Sequence, residues 1–285
     1  MSLSPLISAE DAIKIVQQEN VVIFDATFHL PNVERDAERE FAERHINGAQ
    51  RFDINEIALP DSDLPHTMPT SQLFQRHMQM RGVNKNSHVL IYDDSDVKSA
   101  ARPWFMFRYF GHENVQVING GLQAWIAAGG DVVSGETEHP ARGDFMANDP
   151  IDNLGMISVH SLKRLVEKPI GDRRRNILDA RSEGRFYGRA PEPRPGLAGG
   201  HIPGAINIPF THLIDKQSGC YKSVDELNEI FADVEKDKGV ITTCGSGVTA
   251  CVLILGLTLI GREDLTLYDG SWVEWGSRMD CPVSV

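Results

Sequence analysis

The chain repeats itself once, and that repeat limits what it can fold into more than any single residue does. Val21-Val22-Ile23-Phe24-Asp25-Ala26 resembles Asn176-Ile177-Leu178-Asp179-Ala180-Arg181, each a short apolar run ending in Asp, at an offset of 154 residues. His45-Ile46-Asn47-Gly48-Ala49 resembles His201-Ile202-Pro203-Gly204-Ala205 at an offset of 156. Val89-Leu90-Ile91-Tyr92-Asp93 resembles Val240-Ile241-Thr242-Thr243-Cys244 at 151, and Asn119-Gly120-Gly121-Leu122-Gln123-Ala124-Trp125 resembles Asp269-Gly270-Ser271-Trp272-Val273-Glu274-Trp275 at 150. Four landmarks in one order at near-constant spacing mark a duplicated domain. The length of 285 residues suits two such domains.

Each half alternates strand and helix patterns. In the second half, Ser158 is a helix N-cap for a run to about Glu167. An apolar strand follows at Asn176 to Asp179. Ser223-Val224-Asp225-Glu226 has the spacing of a capping box and opens another helix. Val240 to Thr243 is a β-branched strand, followed by an apolar helix from Val248 and a strand from Leu265 to Tyr268. Short strands between helices predict an α/β fold, a parallel sheet flanked by helices in each half. The Pro- and Gly-containing stretch from His139 to Gly155 lacks periodicity and reads as a linker. The expected domains are therefore 1–138 and 156–285, joined by 139–155.

Bulk properties exclude several function classes. Hydrophobic residues make up 41% and charged residues 24%, which rules out a disordered chain. A net charge of -12 gives no broad basic face, so nucleic acid is not expected as a partner. Any anion must be held by a local cluster of Arg rather than by the overall field. The start Met1-Ser2-Leu3-Ser4-Pro5 lacks the pattern of a secretory signal. The most apolar run, Val248 to Ile260, is too short to span a bilayer and reads as a buried helix. Cys220, Cys244, Cys251 and Cys281 have neither metal-ligand spacing nor the density of a disulfide framework. They read as thiols of a cytoplasmic protein with no metal and no cofactor.

Cys244 stands apart from the other three. It follows a predicted strand and precedes Gly245-Ser246-Gly247-Val248-Thr249, which leads into the apolar helix. In a parallel sheet, ligands bind at the carboxyl ends of strands. The glycines let the loop curl and aim backbone N–H groups at the sulfur, and the helix dipole adds positive charge. Both effects favour the thiolate, which is the nucleophile. A lone Cys before an apolar helix is more often a small core residue; the Gly-x-Gly loop separates Cys244 from that background. Cys251, inside the helix, fits the core reading, and Cys220 reads as a loop thiol.

The segments Gly200-His201-Ile202-Pro203-Gly204-Ala205, Cys244-Gly245-Ser246-Gly247-Val248-Thr249-Ala250 and Tyr268-Asp269-Gly270-Ser271-Trp272-Val273-Glu274-Trp275 closely resemble the tandem-domain rhodanese family. Within it they are similar to the 3-mercaptopyruvate sulfurtransferases. The resemblance covers essentially the whole chain and implies two tandem rhodanese-like domains, of which only the C-terminal one carries the Cys. Asp93 holds the position of Cys244 in the first repeat, and a carboxylate cannot accept sulfur.

The resemblance implies sulfur transfer from 3-mercaptopyruvate through a Cys244 persulfide to a small thiol, thioredoxin or cyanide, with release of pyruvate. The N–H groups of Gly245, Gly247, Val248 and Thr249 would hold the sulfur anions. It places substrate-binding guanidiniums at Arg185 and Arg194, with Arg189 in reserve, since planar Arg matches a carboxylate beside a ketone. His66 matches a His that pairs with the loop Ser, here Ser246, to move a proton. The third member of that set is Asp in relatives and Asn55 here, with Asp53 nearby. Thiosulfate-preferring relatives carry Arg and Lys after the Cys, where this chain has Gly245 and Ser246. A thiosulfate:cyanide sulfurtransferase is thus the nearest rival. A phosphatase of the Cys-x5-Arg type needs an Arg where Ala250 stands. A non-enzymatic sulfur carrier would load Cys244 without releasing pyruvate. His45, His201, Asp25, Asp179 and the Trp272–Trp275 segment read as architecture.

Overall fold

The computed structural model describes residues 3–137, 140–148 and 154–285. The chain divides into two units. One takes Met1–Pro60, Met68–Ile151 and Asp215–Tyr221, and the other takes Asp61–Thr67, Asp152–Ile214 and Lys222–Val285.

In the first unit the strands are β1 (Leu6–Ile7), β2 (Val21–Asp25), β3 (His45–Ile46), β4 (Ala49–Arg51), β5 (His88–Tyr92), β6 (Val115–Ile118) and β7 (Val132–Val133). The helices are α1 (Ala9–Ile15), α2 (Ala37–Glu43), α3 (Ser71–Met80), α4 (Ala101–Tyr109) and α5 (Gly121–Ala127). Five strands form a parallel sheet in the order β1-β6-β5-β2-β4, and β3 pairs antiparallel with β7. One face of that sheet packs Ile23, Leu90 and Tyr92 against Ala12, Phe41 and Trp125. Phe24, Phe52, Phe74 and Phe107 form an aromatic cluster with ring centroids 5.2–6.5 Å apart.

The second unit repeats the plan with β8 (Leu154–Met156), α6 (Val159–Val166), β9 (Arg175–Asp179), α7 (Glu183–Phe186), β10 (Ala205–Asn207), α8 (Val224–Ile230), β11 (Gly239–Thr243), α9 (Ala250–Leu259), β12 (Leu265–Leu267) and α10 (Ser271–Trp275). Its parallel sheet has the order β10-β9-β11-β12-β8. Strand for strand this is the first sheet again, with β5 and β11 each in the centre.

Local chemistry sets the helix ends. Ser158 caps α6 by accepting the Ser161 N–H at 3.3 Å. Ser223 and Glu226 make the reciprocal capping box that their spacing predicts. Helix α9 is apolar all round because Ala250 through Leu257 are all buried. Each buried Leu, Ile or Val there contributes roughly 1.5–3 kcal/mol, so burial rather than amphipathicity holds this helix. Among the described residues no helix is long and apolar enough to cross a membrane.

Two boundaries differ from the sequence pattern. The apolar run from Val248 enters its helix only at Ala250, since Val248 and Thr249 complete the preceding turn. Residues 140–148, within the stretch that reads as a linker, pack on the first unit. Phe145 is fully buried, its N–H donates to Val83 O, and its ring meets Phe74 edge-on. Aperiodic sequence does not show such burial, because one aromatic suffices to anchor an irregular segment. Leu154 and Gly155 already belong to β8. His139 and residues 149–153 of that stretch lie outside the described residues.

Candidate active site

Strand order places the site. From β9 the chain runs outward to β10, and from β11 it runs the other way to β12. Asp179 ends β9 and Cys244 immediately follows β11, with Thr243 paired to Asp179 in register. A parallel sheet binds ligands where its strand order reverses in this way.

Cys244 is 2% exposed and is fixed through its backbone. Its N–H donates to Ser271 Oγ at 3.2 Å, and its carbonyl accepts the Trp272 N–H at 3.0 Å. The Gly245 carbonyl accepts the Val273 N–H at 3.0 Å. The start of α10 therefore clamps the start of the loop. Ser271 is fully buried at φ 50, donates to Tyr268 O at 2.9 Å, and holds its oxygen 4.0 Å from Cys244 Sγ. Sequence reasoning did not single out Ser271. The signal lay in the repeat, where Gly121 occupies the same place at φ 63.

The loop curls at Gly247, whose φ is 81. Cys251, the second residue of α9, donates its thiol to Gly247 O at 3.3 Å and ties the loop to the helix. Among the described residues, no acceptor takes the backbone N–H groups of Gly245, Ser246, Val248 or Thr249. Unsatisfied N–H groups before a helix form an anion cradle. Ser246 is buried within that loop.

Two guanidiniums attend the loop. A β-carbon on Gly245 would stand 3.1 Å from Arg185 Nη2, so Arg185 lies over the first residue after the nucleophile. Arg185 Nε and Nη2 donate to Glu192 Oε2 at 3.1 and 2.5 Å. Burial and the neighbouring Arg185 charge draw the Arg194 pKa below its ordinary value, and Cys244 acts in the opposite direction. Arg194 makes no ion pair among the described residues.

The other expected residues fall as follows. His66 is buried at φ 58, in the Asp61–Thr67 segment that belongs to the second unit. Asn55 is exposed in the first unit and donates through Nδ2 to Asp53 Oδ1 at 3.0 Å. Arg189 is exposed and stacks on the Tyr187 ring at 5.1 Å. His45 and His201 do equivalent structural work. Each ring stacks on a Phe, Phe41 at 4.0 Å and Phe186 at 3.8 Å, and bonds that residue's carbonyl through Nδ1. Trp272 is buried, donates to Ala198 O, and carries the Arg181 guanidinium 4.1 Å above its ring. All four cysteines are unpaired. No cluster of metal-ligating side chains occurs among the described residues.

A buried thiol in an anion cradle, with Arg above it, is equipped to attack an electrophilic sulfur in an anionic molecule. The sequence pattern of the rhodanese-like domain matches residues 8–128 and again 158–278. Human 3-mercaptopyruvate sulfurtransferase is 42% identical over 260 residues, spanning 90% of this chain and 85% of that one. Thiosulfate sulfurtransferase of Gallus gallus is 37% identical over 260 residues, 90% of this chain and 86% of that one. The crystal structure of SseA from Escherichia coli superposes with a TM-score of 0.83 at 33% identity, covering 95% of this chain and 99% of that one. Matched by the rhodanese-like pattern in both repeats, each built on a parallel five-stranded sheet, the chain belongs to the rhodanese family.

Proposed function

We propose that the protein is a 3-mercaptopyruvate sulfurtransferase working by double displacement. The Cys244 thiolate attacks the sulfur of the donor. An S–S bond forms, the C–S bond breaks, and its electron pair leaves on carbon as the enolate of pyruvate. A proton passes from the persulfide to that carbon, so pyruvate departs and an anionic persulfide remains. A thiol or cyanide then attacks the outer sulfur, the S–S bond breaks, and the thiolate returns. This is covalent catalysis with ping-pong kinetics.

The observation that carries the donor assignment is the position of Arg185 over Gly245, with Arg194 under the electrostatic influence of both Arg185 and Cys244. Two planar guanidiniums suit a carboxylate and its adjacent ketone. Gly245 and Ser246 bring no charge of their own. The loop N–H groups from Gly245 to Thr249 stabilise the sulfur anion in both half-reactions. Ser246 and His66 are the groups proposed to move the proton. Ser246 lies in the loop, and His66 is buried in the same unit. Thioredoxin is the proposed protein acceptor, by family analogy. A cytoplasmic site of action accords with four unpaired thiols.

Pyruvate release from 3-mercaptopyruvate, run beside thiocyanate formation from thiosulfate at matched donor and cyanide, tests this reading. Strong pyruvate release with weak thiosulfate turnover is the expected result. The reverse preference would retain Cys244 as nucleophile and make the protein a thiosulfate sulfurtransferase.

A further inference from the structure

The charged residues around Arg185 form a continuous buried ladder. Arg181, with its side chain fully buried, donates through Nε and Nη2 to both carboxylate oxygens of Asp179 and through Nη2 to Gly200 O at 2.8 Å. Its Nη1 donates to Glu192 Oε1 at 2.8 Å. The Glu192 side chain is 4% exposed, and its second oxygen takes Nε and Nη2 of Arg185. Arg181 is thus occupied on both edges and stacked on Trp272, whose N–H holds the Cys244 carbonyl. Arg185 is held along one edge only, and its Nη1 donates to no acceptor among the described residues.

We propose that Glu192 is a positioning residue for the sulfur donor. Its carboxylate, pinned by Arg181, sets the angle at which Arg185 presents its free Nη1 edge above the Cys244 loop. The inference rests on Arg185 binding the donor carboxylate. A guanidinium without such a partner keeps several staggered rotamers, and the ordering cost then falls on substrate binding. Glu192 also sets the charge of the site. Arg181 and Arg185 are balanced by Asp179 and Glu192, so Arg194 supplies the one positive charge in excess beside the Cys244 thiolate. That suits a monoanionic α-keto acid better than a dianion such as thiosulfate.

The test is a double-mutant cycle on the full chain with Glu192→Gln, Arg185→Ala and both together, read as kcat and KM for 3-mercaptopyruvate and for thiosulfate. Glu192→Gln is expected to raise the mercaptopyruvate KM about tenfold with kcat little changed, as for loss of one charge-assisted contact. It should also shift the ratio of the two kcat/KM values toward thiosulfate. The double variant should be no worse than Arg185→Ala, because Glu192 acts through Arg185. A wild-type KM in Glu192→Gln beside a raised KM in Arg185→Ala would overturn the positioning role and leave the clamp standing. A wild-type KM in Arg185→Ala would overturn the clamp and the proposal with it. Additive losses would show that Glu192 acts by another route and would also overturn it. Glu192→Asp keeps the charge but shortens the reach, and it carries the same comparison if Glu192→Gln does not fold.

Discussion

Asp93 and Cys244 receive the same backbone hydrogen bond. The Asp93 carbonyl accepts the Leu122 N–H at 3.0 Å, as the Cys244 carbonyl accepts that of Trp272 at 3.0 Å. Each residue follows the central strand of its sheet. The two loops differ in what fills them. In the first, Asp93 Oδ2 takes the Ala100 N–H at 2.8 Å and stands 3.4 Å from the Ser95 and Ser99 hydroxyls. In the first repeat the Asp93 carboxylate itself takes up the donors of its loop.

Burying that carboxylate affects stability. Burial pushes the Asp93 pKa up from 3.8 to about 6. The native state therefore binds this proton more tightly than the unfolded chain. Its contribution to stability is full below pH 3.8 and is lost as pH rises through about 6. Asp93→Asn removes the titration and keeps an acceptor for Ala100 N–H. The variant should match wild type near pH 4 and exceed it by roughly 3 kcal/mol at pH 8. Urea unfolding of both proteins across that range measures the difference, and a pH-independent gap would contradict it.

Cys244→Ser should lower pyruvate release from 3-mercaptopyruvate by at least about a thousandfold while the fold persists. Oxygen fits the same backbone clamp but cannot store sulfane sulfur. Replacing Cys220, Cys251 or Cys281 singly by Ser or Ala should leave a one-sulfur mass increment on Cys244 after donor treatment. Retained turnover in Cys244→Ser would place the nucleophile elsewhere.

The repeat, the parallel sheets and Cys244 were legible in the sequence because each depends on short-range pattern. Apolar runs ending in Asp, Gly-rich turns and the Ser223–Glu226 capping box fix themselves within a few residues. Glu192 and Arg181 were not legible. A charged residue in a Pro- and Gly-rich loop reads as solvated surface, and only tertiary packing buries both in one ladder. Ser271 was hidden for another reason. Its left-handed backbone is a property usually read from Gly, and only alignment with Gly121 discloses it. Phe145 shows the same limit in the connecting stretch, where one aromatic is no periodic signal.

Ser271→Ala should destabilise the second unit by about 1–3 kcal/mol, because it leaves the buried Cys244 N–H without its acceptor, while the Tyr268 carbonyl keeps the backbone N–H of residue 271. Activity should fall as well, since the loop loses the bond that fixes its nucleophile. Ser271→Gly removes the same hydroxyl but relaxes φ 50, so it should unfold at higher denaturant than Ser271→Ala. Equal midpoints for the two variants would show that the backbone carries no strain there.

Arg194 and Arg185 should part company in stability while sharing a loss of activity. In the proposed clamp each contributes a charge-assisted contact to the donor, so either Ala variant should lose about 1.5–3 kcal/mol of transition-state binding in kcat/KM. Arg194 is partly buried, its pKa is drawn down by that burial, and it makes no ion pair among the described residues. Removing it relieves a desolvated charge and strands no partner, so Arg194→Ala should be as stable as wild type or more so. Arg185→Ala strands one oxygen of the buried Glu192 carboxylate. It should be less stable by about 1–3 kcal/mol, the cost of an unsatisfied buried acceptor. Arg194→Lys should recover little activity, because an ammonium lacks the planar fork. Chemical unfolding run beside pyruvate-release kinetics on the three variants reads both quantities. A destabilised Arg194→Ala would mean that Arg194 is a structural residue and not a free hand for the donor.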